Sequence, residues 1–169
     1  MNAVNGLPRI VIAGVGNEFG GDDPFGSELL KTLSRLDWPE GVRVADYGLR
    51  DVDLTYALAE DADVAIFLET VEGGNAGGAM QVLRAETDNL SVTDDRLAPR
   101  RGTALAERLV RMARALGGKV RDALLVECEK SPQKSGTAET ARKVKSLVAG
   151  IRAGEMGRIL PGNVDRGWQ

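Results

Sequence analysis

Histidine is absent from the 169 residues of this chain. Its absence removes the side chain that most often serves as a general base near neutral pH, and the commonest nitrogen ligand for metals. Ser-His and Cys-His dyads are excluded. Lysine does not take over as base, because Ser131-Pro132-Gln133-Lys134 places a proline inside what would be the first turn of a Ser-x-x-Lys helix. Cys128 is the only cysteine, which excludes an intramolecular disulfide and a structural zinc site built on several thiolates. A cytoplasmic location is the expectation that follows. Aromatic residues make up 4%, so the core must come from Val, Leu, Ile and Ala. No apolar run approaches the ~20 residues that span a bilayer, and the N-terminal MNAVNGLPR lacks the basic-then-apolar order of an export signal. No membrane insertion is expected. A basic field is lacking too: with a formal net charge of -3 there is no surplus cation to neutralise phosphates, so nucleic acid is not an expected partner.

What remains is the composition of an ordinary folded domain, 43% hydrophobic and 28% charged, with a length that suits one sheet covered by helices. A single domain over 1–154 is expected, with 155–169 as a flexible C-terminal tail. Arg9 to Val15 is a continuous apolar run suited to a strand buried on both faces, and Pro24 to Leu36 repeats apolar residues at helical spacing. Val42 to Tyr47 reads as a second strand and Asp51 to Ala59 as a short helix with an acidic start. Asp63 to Val71 reads as a third, central strand. Gly78 to Ala85 alternates like a strand and is expected to form a hairpin with it, after the turn EGGNAGG. Thr103 to Leu116 is an amphipathic helix stopped by Gly117 and Gly118. Asp122 to Cys128 is the last strand and Thr137 to Ile151 the last helix. Strands alternating with helices imply an α/β fold, a three-layer α/β/α sandwich whose mostly parallel sheet carries one antiparallel hairpin strand.

Chemistry is sought at the ends of the parallel strands, where turns and helix N-termini collect. Gly14-Val15-Gly16 follows the first strand, yet the third glycine position of a dinucleotide fingerprint holds Phe19. Asp22 and Asp23 would also put negative charge where a pyrophosphate should sit. Carboxylates are therefore the candidates. Asp23 follows the first strand and Glu69 ends the third, so both could reach one rim and face one cation. Helix capping by Asp22 or Asp23 and a solvated strand end for Glu69 fit the same spacing.

The stretch GVGNEFGGDDPFG resembles the opening G-x-G-N…D-[DE]-x-x-G pattern of the hydrogenase maturation proteases, and DVAIFLETVEGGNAGGAMQVL and DALLVECE resemble segments that follow it in that family. The resemblance runs from Arg9 to about Ile151. It implies an endopeptidase that removes the C-terminal extension of a nickel-iron hydrogenase large-subunit precursor after nickel insertion. A homologue that binds the precursor or another partner without cutting it is the alternative. The resemblance assigns nickel contacts to Asp23 and to Glu69, a Glu where Asp is usual. The family's third contact, a histidine, has no counterpart here; the region between Asp94 and Thr103 offers only Asp94 or Asp95. Gly14, Gly16, Asn17 and Asp22 shape the loop of the opening pattern. Lys130 stands where the family usually has proline, and Glu127 where glycine is common. No nucleophile is identified by the pattern, and a monomer is expected.

Overall fold

The computed structural model describes residues 6–15, 24–48, 50–72, 79–85, 101–131 and 135–159. The strands are β1 (Ile10–Val15), β2 (Val42–Gly48), β3 (Val64–Val71), β4 (Met80–Arg84) and β5 (Asp122–Glu129). The helices are α1 (Pro24–Arg35), α2 (Asp51–Asp61), α3 (Arg101–Ala115), α4 (Ser135–Arg152) and the short α5 (Met156–Ile159). The strands form one sheet in the order β2-β1-β3-β5-β4. β1, β2, β3 and β5 are parallel, and β4 alone is antiparallel, against β5.

The apolar runs fix the middle of this sheet. Ile10 to Ile12 of β1 and Ala65 to Leu68 of β3 are all 0% exposed, as required of strands covered on both faces, and the two strands are neighbours. Alternation along each strand sends side chains to two separate cores. Ile10, Ile12, Ile66, Leu68, Leu124 and Val126 pack with Leu29 and Leu33 of α1 and Val144 and Val148 of α4. Val11, Ala13, Ala65, Phe67 and Leu125 pack with Leu54 and Leu58 of α2 and Leu109, Val110 and Ala113 of α3. Two helices on each face make the expected three-layer α/β/α arrangement.

The antiparallel strand is present, but its partner differs from the expectation. β4 pairs with β5 and does not form a hairpin with β3. The reason is burial: Ala123 to Val126 of β5 are 0% exposed, so this run takes the place beside β3. Met80, Val82 and Leu83 of β4 are only partly buried, which suits an edge. At the other end of the chain, Met156 and Ile159 of α5 pack against the first core, so part of the segment expected as tail is ordered helix. Residues 160–169 lie outside the described residues.

Turn chemistry follows the sequence closely after α3. Gly117 has φ of 92°, the left-handed conformation that closes a helix. Gly118 N–H donates to the Ala113 carbonyl at 2.9 Å. A Cβ on Gly118 would lie 2.8 Å from Ala59 Cα, so only glycine lets the end of α3 sit this close to α2. At the N-terminal edge of the sheet, Asp63 accepts from the Arg9 backbone N–H at 2.8 Å and from Arg9 Nε at 3.3 Å. The Arg9 guanidinium also donates to the Glu60 carbonyl. The acid that precedes β3 is thus consumed in tying β1 to β3 and α2.

Candidate functional site at the carboxyl ends of the strands

Because β1, β2, β3 and β5 are parallel, their carboxyl ends share one rim, opposite the Arg9–Asp63 pair. β1 reaches this rim at Gly14, which lies beside Asp46 of β2 and Leu68 of β3. The β1–β2 register shifts between Gly14 and Val15, the kind of irregularity that redirects a chain at the end of a strand. Gly16, Asn17, Asp22 and Asp23, between β1 and α1 in the chain, lie outside the described residues, as do Asp94 and Asp95.

Glu69 is described, and it stands at the rim. Its strand is fully buried from Val64 to Leu68 and only half-buried at Glu69, so the carboxylate comes where the apolar run meets the outside. Continuing the alternation of Ala65 and Phe67, Glu69 belongs to the α2/α3 face of the sheet.

A second carboxylate occupies the same row. Glu127 of β5 is the register partner of Glu69, is also half-buried, and continues the alternation of Ala123 and Leu125 on that face. On the far side of β5, Gln81 is the register partner of Glu127. Adjacent strands lie about 4.8 Å apart, so Glu69, Glu127 and Gln81 form one polar row across three strands, immediately beyond the hydrophobic core. Sequence reasoning noted Glu127 only as a departure from a family pattern. The signal was available in the two parallel apolar runs DVAIFLE and DALLVE, each ending in an acid.

Both carboxylates make an interaction within the chain, and oxygen donors side by side at a strand end are suited to a hard cation. Among the described residues, however, no group of three or more His, Cys, Asp or Glu gathers as a metal site. The described rim supplies hard oxygen donors and no imidazole or thiolate. This set by itself does not match the preference of nickel.

Cys128 follows Glu127 but faces the other way, into the first core, and is 0% exposed. Burial pushes its thiol from 9.0 up to about 12, with Lys143 pulling weakly in the opposite sense. A thiol held neutral and out of solvent is no nucleophile. The folded state binds this proton more tightly than the unfolded chain. The resulting stabilisation is complete below about pH 9 and lost as pH rises toward 12. Native protein at pH 8 is expected to resist a thiol reagent such as DTNB, with full labelling only after denaturation. Rapid labelling of the native protein would show Cys128 to be accessible.

Comparison with known proteins places this architecture. No protein-family profile matches the chain. Over 78 residues it is 35% identical to the hydrogenase expression/formation protein HupM of Azotobacter chroococcum, a match covering 46% of this chain and 37% of that protein. The aligned part is thus well under half the length of the curated relative. The whole fold is similar to that of the hydrogenase maturating endopeptidase HybD from E. coli, with a TM-score of 0.56 at 21% identity over 86% of this chain and 93% of that one. It is equally similar to the [NiFe] hydrogenase maturation protease HycI from Thermococcus kodakarensis, with a TM-score of 0.57 at 19% identity over 86% and 94%. The five-stranded, mostly parallel sheet with flanking helices is therefore the fold of the solved hydrogenase maturation proteases.

Proposed function

We propose that this chain is a hydrogenase maturation endopeptidase, which removes the C-terminal extension of a nickel-iron hydrogenase large-subunit precursor after nickel has been inserted. The observation that carries this reading is Glu69 at the carboxyl rim of β3, where the resemblance assigns a nickel-contacting carboxylate, within a fold shared with HybD and HycI. Nickel enters this reading as part of the substrate. Asp23 and Glu69, with Asp94 or Asp95, are the residues proposed to contact it, and Glu127 stands beside Glu69 as a further acceptor. An all-carboxylate set binds nickel more weakly, and discriminates less among divalent cations, than one containing imidazole. The carboxylates then serve recognition: they orient a cation-bearing substrate against the rim, while the half-buried strand ends limit water around them.

The absence of histidine favours a second reading, a homologue that binds the precursor without cutting it. Incubating the purified protein with nickel-loaded large-subunit precursors separates the two. A shortened product is the expected result. A stable complex with uncut precursor would establish the silent homologue, and neither product nor complex with any precursor would overturn both.

A further inference from the structure

The sheet ends at β4, and the outer edge of that strand carries backbone groups that the sheet does not use. Glu129 N–H donates to the Ala79 carbonyl at 2.9 Å, and Ala85 N–H to the Ala123 carbonyl at 2.8 Å. Bonding alternates along an antiparallel pair, so Gln81 and Leu83 also turn their backbone groups to β5, opposite Glu127 and Leu125. Met80, Val82 and Arg84 turn theirs outward. Among the described residues nothing pairs with this edge. Each of the three positions offers one N–H and one C=O, about 6.8 Å from the next, and an extended backbone is what matches such a row.

The surroundings of the edge define its occupant further. The one charged residue of β4, Arg84, stands at the end away from the rim and is held by Asp122 at 3.1 Å, so no charge guards the middle of the strand. Met80 and Val82 are half-buried against the first core and Leu83 against the second. An added strand therefore finds an apolar flank on each face for its alternate side chains. The opposite edge differs, because β2 carries Arg43 and Asp46 and both α1 and α2 pack on it. The edge of β4 also leads to the candidate site, since Gln81 belongs to the row of Glu127 and Glu69. A strand added to β4 lies two strand spacings, about 10 Å, from β5, a gap that about three residues of extended chain cross. We propose that β4 receives, as an added strand, the C-terminal extension of the protein substrate. Because β4 runs away from the rim, an extension that follows the cut leaves the rim beside Gln81 and runs parallel to β4 toward Arg84. The bond to be cut then lies within reach of Glu127 and Glu69, and the extension, being a chain end, pairs along the edge with no folded part of the substrate behind it. This inference rests on the protease reading and names the surface that holds the segment to be removed.

Val82→Pro removes the central outward N–H and leaves every β4–β5 bond in place. It should lower kcat/KM for cleavage of a nickel-loaded precursor at least about tenfold with an unchanged circular dichroism spectrum. Val44→Pro is the matched control at the other edge: the bond from Ile10 N–H to the Gly41 carbonyl turns Arg43 and Ala45 to β1 and Val44 outward, so this variant should cleave as the wild type does. In the wild-type chain, a saturating synthetic peptide with the sequence of the extension should slow hydrogen exchange at the Met80, Val82 and Arg84 amides at least about tenfold. That measurement decides the matter if Val82→Pro fails to fold. A folded Val82→Pro that cleaves at the wild-type rate overturns the strand addition and leaves the protease reading standing, as do equal losses from both prolines or exchange that the peptide leaves unchanged. Protection of the edge that rises with protein concentration in the absence of peptide would assign it to a second copy of the chain and overturn the proposal. If no precursor is cleaved by the wild-type chain, the protease reading falls and this inference with it.

Discussion

On the proposed reading, Glu69→Ala is expected to lower cleavage of a nickel-loaded hydrogenase precursor by at least about tenfold, the scale of losing one charged contact to the bound substrate, while the chain stays folded. Glu69 comes at the end of a buried run and is itself half-buried, so its removal leaves the packing of Val64 to Leu68 intact. Some stability, on the order of 1 kcal/mol, goes with the interaction this side chain makes within the chain. Asp23→Ala should have the same effect on cleavage. Glu127→Gln provides the internal comparison, since it keeps the shape of the register partner of Glu69 and removes only the charge. If Glu127 serves the same substrate, this variant lowers cleavage too, whereas a purely structural Glu127 leaves it unchanged. Product formation by the unaltered protein and the three variants, with circular dichroism as the control for folding, decides the matter. Equal cleavage by all of them would remove these carboxylates from substrate recognition.

Phe67→Ala is expected to destabilise the fold by about 3–5 kcal/mol, the range for deleting a fully buried aromatic ring. Phe67 is 0% exposed at the centre of β3, and it belongs to the core that joins α2 and α3 to the sheet. The neighbouring helices are held by their own packing on the strands and cannot collapse fully into the space the ring leaves. In a domain of this length the midpoint of thermal unfolding should fall by about 10 °C or more. Val52→Ala is the matched control, because a side chain 63% exposed contributes within about 0.5 kcal/mol to stability. Urea unfolding of both variants provides the measurement. Comparable losses would show that the second core is loosely packed around Phe67.

The sequence by itself determined the layers of this protein. Runs such as Ile10 to Val15 and Val64 to Leu68 are apolar at every position, and only a strand covered on both faces satisfies that pattern. The helices follow from spacing and from their stops, and Gly117 and Gly118 end α3 where they were read to do so. It also excluded Ser-His and Cys-His dyads, because the chain has no histidine, whereas the burial that keeps Cys128 from acting as a thiolate belongs to the fold. The position of Glu69 is legible for a local reason: a carboxylate near the end of an apolar strand must be paired, metal-bound or at the exposed strand end.

Only the tertiary structure decided which strand lies beside which. The short connection from Val71 to Gly78 reads as a hairpin, yet β5 takes the place beside β3 because its residues demand burial on both faces, and β4 is left at the edge. That insertion brings Glu127 next to Glu69, 58 positions away in the chain, and no spacing rule connects two residues through a pairing that is itself unknown. The same holds for the pairing of α2 with α3. Asp51 to Ala59 reads as a short helix with an acidic start and Thr103 to Leu116 as an amphipathic one, and they become neighbours only because the Asp51–Arg108 bridge and the close approach at Gly118 set them side by side. Periodicity is a local property of the chain, whereas adjacency depends on which buried surfaces compete best for the middle of the sheet.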